Sequence, residues 1–160
     1  MTLHVDVQFA LDDAESTCLP DAERLMRWAR AAFDAAEKPP EGEARMTLRL
    51  VEEAEIVQLN RDYRHKTAPT NVLSFPFDLP QGMPLSECGG ELGDVVICAP
   101  VVRREAVEQG KMEQSHWAHM VVHGTLHLLG YDHMTEAEAA QMEALEIRVL
   151  AALGFANPYQ

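Results

Sequence analysis

The sequence predicts a single α/β (α+β) domain: a small mixed β-sheet of about four strands packed with about five helices, with a metal site at the end of a long helix. Three observations predict it. Alternating apolar runs and helical apolar stripes follow one another along the chain. No repeat, low-complexity tract or convincing linker divides the 160 residues, so the domain is read as residues 1–160. Hydrophobic residues make up 47% of the chain, and a chain of this length buries about 70% of its unfolded surface.

Leu3, Val5, Val7 and Phe9 alternate with polar residues and predict an opening strand. Pro20 and Asp21 start a helix whose apolar face carries Leu25, Ala29, Ala32, Phe33 and Ala36, and Pro39-Pro40 stop it. A second strand is expected over Met46–Val51 and a short helix near Glu53–Tyr63. The segment Arg64–Asn71 reads as irregular and leads into an extended run at Val72–Phe75. Pro76, Pro80, Gly82 and Pro84 make the following stretch a loop. Gly93–Cys98 reads as a buried strand, followed by helices near Pro100–Gln109 and Glu113–Leu129. The last helix opens on a capping box, Thr135 with Glu138. Met142, Leu145, Val149 and Leu153 form its stripe, and Gly154 ends it.

The charge excludes some functions. The chain carries 13 Lys+Arg against 26 Asp+Glu, a formal charge of -13. Nonspecific nucleic-acid binding needs a basic face, which this composition does not supply overall. No apolar run approaches the roughly 18 residues of a spanning helix, and Met1–Asp6 has neither the basic start nor the apolar core of an export signal. A soluble, cytoplasmic protein without a membrane role is the expectation. Cys18, Cys88 and Cys98 are odd in number and form no CxxC pair, so a disulfide framework is not expected.

Five of the seven histidines fall between positions 116 and 133. His123 and His127 are four apart on the long helix, so both imidazoles leave the same face. Gly130 can adopt the left-handed conformation that ends a helix, and the returning chain then delivers His133. Three imidazoles favour one Zn²⁺ per chain and leave a tetrahedral position open, which is a catalytic design. The spacing resembles the metzincin pattern HExxHxxGxxH, except that Gly124 stands where the glutamate general base belongs. A peptidase mechanism of that kind is therefore disfavoured. Asp132 is read as a turn former or an imidazole-orienting carboxylate before a base, and sequence does not place Asp94 against the metal. His119 is expected to be buried or to support the ligands, and His116 to be partly solvated. Trp117, Met120 and Val121 read as core.

Arg45, Arg49, Arg61, Arg64 and Lys66 place five of the 13 cationic residues within 22 positions. Arg64 and Lys66 lie where a helix gives way to irregular chain. A guanidinium there can clamp a phosphate through its planar fork, with Lys66 beside it, although an ion pair to one of the many carboxylates is the competing use of Arg64. Arg45 and Arg49 are four apart on a strand and are expected to face solvent.

Two blocks now carry a resemblance. The first runs Leu59-Asn60-Arg61-Asp62-Tyr63-Arg64-His65-Lys66-Thr67-Ala68-Pro69-Thr70-Asn71-Val72-Leu73-Ser74-Phe75-Pro76-Phe77. The second runs His116-Trp117-Ala118-His119-Met120-Val121-Val122-His123-Gly124-Thr125-Leu126-His127-Leu128-Leu129-Gly130-Tyr131-Asp132-His133. With Glu91–Ile97 and the stretch Leu153–Tyr159, they resemble the YbeY family of bacterial ribosomal-RNA maturation endoribonucleases over about positions 45–160. Thr67 and Asn71 depart from the Asp expected in many members. The resemblance implies a small mixed sheet, zinc on His123, His127 and His133, and a functional arginine at Arg64. It also implies cleavage of single-stranded RNA, 16S rRNA 3′-end maturation, ribosome quality control and association with ribosomal components, with no role for DNA. Two other readings compete: a metallohydrolase of another substrate, and a ribosome assembly factor with a structural zinc site. A fourth protein ligand such as His119 would favour the latter.

Overall fold

The computed structural model describes residues 2–12, 19–36, 42–77 and 90–160. Strand β1 (Thr2–Ala10), helix α1 (Ala22–Ala35) and strand β2 (Glu43–Val51) form a parallel β-α-β unit. Helix α2 (Glu53–Arg64) follows, then strand β3 (Val72–Pro76) and strand β4 (Glu91–Cys98). Helices α3 (Ala99–Glu108), α4 (Glu113–Leu128) and α5 (Glu136–Ala152) complete the chain. The sheet order is β1-β2-β4-β3; β4 runs parallel to β2, and β3 runs antiparallel to β4. The sheet is thus mixed, with four strands, as the patterning predicts.

Local chemistry explains the boundaries. Asp21 caps α1 by accepting from the Arg24 amide at 2.9 Å. All five residues assigned to its apolar face are buried, with Trp28 beside them. Pro39 and Pro40 lie outside the described residues, as do Pro80, Gly82, Pro84, Cys18 and Cys88. Thr135 caps α5 by accepting from the Glu138 amide at 3.1 Å, and Gly154 ends the helix at φ 93°. Cys98 is buried.

The main core joins one sheet face to α1, α4 and α5. A smaller cluster of Val51, Ile56, Leu73, Val96, Cys98 and Val101 fills the opposite face. Helix α4 is buried on nearly every side, so its burial follows no single stripe, and its buried face includes the polar His116, His119 and Thr125. It packs against α1, α3, α5, β3 and β4. Gly124 permits the closest approach to the sheet. A Cβ there would lie 2.5 Å from Val95 Cγ1 and 3.4 Å from Ser74 Oγ, and these two residues face each other across β4 and β3. The Ser74 hydroxyl donates to the Gly124 carbonyl at 3.3 Å. This contact sets the height of the helix turns that carry His123 and His127.

Two expectations are corrected. Arg49 does not point freely into solvent: its guanidinium forks onto Glu55 at 2.6 and 3.0 Å and donates to Gln8 at 2.9 Å. Strand β2 is flanked on both sides, so Arg49 meets a neighbouring strand and the start of α2. Arg45 is exposed, as expected. His116 is not partly solvated but 3% exposed, because α3 packs over it and its Nε2 donates to Glu105 at 2.9 Å. Burial pushes the His116 pKa down, against the opposing pull of Glu105.

Candidate metal centre

Three imidazoles meet where α4 ends. His123 and His127 are one helical turn apart, and their Nε2 atoms lie 3.1 Å from each other. Gly130, at φ 100°, turns the chain back. Asp132 Oδ1 then accepts from the His133 amide at 2.8 Å, directly before the third imidazole. One nitrogen from each of His123, His127 and His133 lies within 4.8 Å of the others. That set is open to solvent: His123 and His127 are half-buried and His133 is exposed.

A buried carboxylate lies behind the ligands. Glu146 of α5 is 1% exposed and accepts from His119 Nε2 at 2.7 Å and from His123 Nδ1 at 3.2 Å. The Tyr159 hydroxyl donates to its other oxygen at 2.9 Å. Burial pushes the Glu146 carboxyl up, but the hydrogen bonds from His119 and His123 outweigh it and hold the group down to about 2. The Tyr159 phenol is raised by burial and by the adjacent carboxylate. With Nδ1–H of His123 committed to Glu146, its Nε2 lone pair faces His127 and is free for a cation. The pKa of His127 is lowered by burial and then by its two imidazole neighbours, which keeps the ring neutral and able to ligate.

This donor set fits a zinc-like ion. His119 lies on the Nδ1 side of the His123 ring, engaged with Glu146 and 3.3 Å from the Tyr159 hydroxyl. His119, His123 and Glu146 also bring one ligand atom each within 4.8 Å of the others, a second group that shares His123 with the first. Gly124 faces Val95 and the sheet, so even a glutamate at this position would not project to the cation.

The histidines open onto a cavity of about 390 Å³ that also takes in Arg64, Asn71, Ser74 and Asp132. Arg64 is the last residue of α2, and His65 closes that helix in the left-handed conformation at φ 58°. Buried Asn60 fixes the turn: its side chain donates to the Ala68 carbonyl at 2.8 Å, and its own carbonyl accepts from the Lys66 amide. Among the described residues Arg64 makes no ion pair within 4 Å, so the competing use of its charge is not seen there. Lys66 is exposed and does not line the cavity; Asp94 is exposed and does not line it either.

At its other end the loop is tied to α3. Asn71 Nδ2 donates to Glu105 at 3.1 Å, the same carboxylate that accepts from His116. Asn71 Oδ1 accepts from the Val72 amide at 2.7 Å. Glu105, Glu146 and Tyr159 were not singled out in the sequence. Glu146 had a legible signal: it sits on the apolar stripe of α5, between Leu145 and Val149.

A family model described as Endoribonuclease YbeY matches residues 10–154. The chain belongs to the YbeY endoribonuclease family. Proteins named Endoribonuclease YbeY are similar to it over nearly its whole length. That of Halorhodospira halophila is 52% identical over 97% of both chains. That of Alcanivorax borkumensis is 54% identical over 97% of this chain and 85% of its own. That of Nitrosococcus oceani is 49% identical over 100% of this chain and 99% of its own. The solution structure of TM1509 from Thermotoga maritima has the same fold, with a TM-score of 0.56 at 21% identity over 93% of this chain and 91% of that one. No helix among the described residues is long and apolar enough to cross a membrane.

Proposed function

We propose that this protein is a zinc-dependent endoribonuclease that hydrolyses phosphodiester bonds in single-stranded RNA. The observation that carries the reading is the convergence of His123, His127, His133 and Arg64 on one cavity, in a chain of the YbeY family. One Zn²⁺ held by the three imidazoles would supply Lewis-acid polarisation of a phosphoryl oxygen and acidify water.

The remaining steps belong to the protein. Glu146 holds the His123 ring with Nε2 toward the cation. Arg64 binds the scissile or an adjacent phosphate and offsets charge that develops there. Lys66, on the rim, attracts the RNA backbone. The cation and these side chains make one positive cleft on a body of charge -13, which repels nonspecific RNA. The physiological substrate of this reading is ribosomal RNA, at the 3′ end of 16S rRNA and in ribosome quality control, with ribosomal components as partners in the cytoplasm.

The test is cleavage of end-labelled single-stranded RNA by wild type and His127→Ala purified in parallel. Cleavage by wild type alone, with metal lost from the variant, is expected. Equal cleavage by both would expose a contaminant and refute the assignment. No cleavage by either would favour the assembly-factor reading.

A further inference from the structure

Two aromatic side chains outside the cavity lining are exposed. Tyr63, one residue before Arg64, is 66% exposed, and Phe77 is 45% exposed. The Tyr63 ring is not loose. It packs edge-to-face on Phe75 of β3, with centroids 5.0 Å apart and planes at 60°. Phe75 is itself backed by the smaller core cluster. Strand β3 is an edge of the sheet.

Charge surrounds it. Arg61, Arg64 and Lys66 are all exposed. The left-handed turn at His65 and the Asn60 contacts hold this segment in one shape. A rigid aromatic face beside backbone-binding cations is the arrangement by which proteins grip unpaired nucleotides: the cations take phosphates and the ring stacks on a base.

We infer that Tyr63, backed by Phe75, is a base-stacking subsite for single-stranded RNA next to the phosphate held by Arg64. The inference rests on the RNA reading above and adds a source of strand selectivity. A base in a duplex is already stacked between its neighbours and offers no free face, so only unpaired RNA gains this contact. Because stacking uses the ring face, the hydroxyl of Tyr63 is dispensable.

The experiment measures binding of a short fluorescent single-stranded RNA to the metal-loaded full chain by anisotropy, with the RNA checked for intactness afterwards. Tyr63→Ala should weaken binding about 5- to 100-fold, the range of one lost stack. Tyr63→Phe should retain wild-type binding. Replacing single nucleotides by abasic ones locates the contact: at one position the abasic RNA should bind wild type and Tyr63→Ala equally. A duplex of the same sequence should show no dependence on Tyr63. Unchanged affinity in Tyr63→Ala would overturn the inference while leaving the nuclease reading intact. So would a loss that no abasic position removes, since the ring would then act indirectly. Failure of the wild type to bind single-stranded RNA would sink the RNA reading, and this subsite with it.

Discussion

Gly124→Ala is the sharpest test of how the fold sets the metal centre, because two rules oppose each other there. Alanine in a helix interior is favoured over glycine by about 1 kcal/mol. At this position the added methyl would lie 2.5 Å from Val95 Cγ1 and 3.2 Å from Val95 Cγ2. Carbon atoms prefer separations of roughly 3.5–4.0 Å, so about 1 Å of movement is required. Val95 is fully buried, β-branched and fixed in the sheet, and cannot swing aside. Overpacking of this kind costs about 1–3 kcal/mol, which matches or exceeds the helix gain. The expected net loss is about 0–2 kcal/mol, or up to about 8 °C in Tm for a chain this size.

The displacement also has a functional consequence. His123 and His127 ride on the pushed helix, whereas His133 follows it on a turn. Metal affinity should therefore fall, on the order of tenfold, as when ligand orientation is disturbed. Thermal unfolding of the metal-free protein and a competitive chelator titration measure the two effects. Pairing Gly124→Ala with Val95→Ala should recover part of the metal affinity, since the clashing methyls are gone. A variant that melts higher than wild type with unchanged metal affinity would refute the reasoning, because helix propensity would then have outweighed the contact.

Glu146→Gln removes the negative charge and one of the two acceptor oxygens that hold His123, His119 and Tyr159, and metal affinity should drop about 10- to 100-fold in a chelator competition while the far-ultraviolet spectrum is unchanged; wild-type affinity would show that the ionised carboxylate is not what sets the ring. The same group predicts an acid limb of stability. Its carboxyl is held at about 2 against an ordinary 4.5, so the folded state favours the ionised form, and the stabilisation is present above about pH 4.5 and lost as pH falls toward 2. The lowered pKa of His127 acts in the same direction at higher pH, since protonating it disfavours the fold as pH falls below its unfolded value. Urea unfolding of the metal-free chain at stepped pH should show this, and Glu146→Gln should flatten the lower limb; an unflattened limb counts against the assignment. Arg64→Ala should keep fold and metal content but lose RNA cleavage, whereas a large fall in Tm would mark a structural arginine. Asn71→Asp sets a second carboxylate against Glu105 and should slow cleavage and lower Tm, while adding Glu105→Gln restores a donor facing an acceptor and should recover both; no recovery would argue that Asn71 acts otherwise.

The three converging imidazoles were legible because they are close in sequence. One helical turn places His123 and His127 on a common face, and one glycine turn returns His133, so local backbone geometry alone brings the three together. Secondary structure was legible for a related reason. Caps such as Asp21 and Thr135 and the apolar stripes act over a few residues. His116 and Arg49 were misread because their surroundings come from distant elements: α3 covers the first, and β1 with α2 engages the second.

By itself, then, the amino-acid order determined the sheet and helix plan, the imidazole trio and the family resemblance. Only the tertiary structure decided that Arg64 opens onto the same cavity as the histidines, that Glu146 fixes the His123 ring, that Gly124 is a packing contact, and that Tyr63 rests on Phe75. Each of these joins side chains from separate elements. Which of them meet depends on the strand order β1-β2-β4-β3 and on how closely α4 packs on the sheet, and those are properties of the assembled core rather than of any local run of residues.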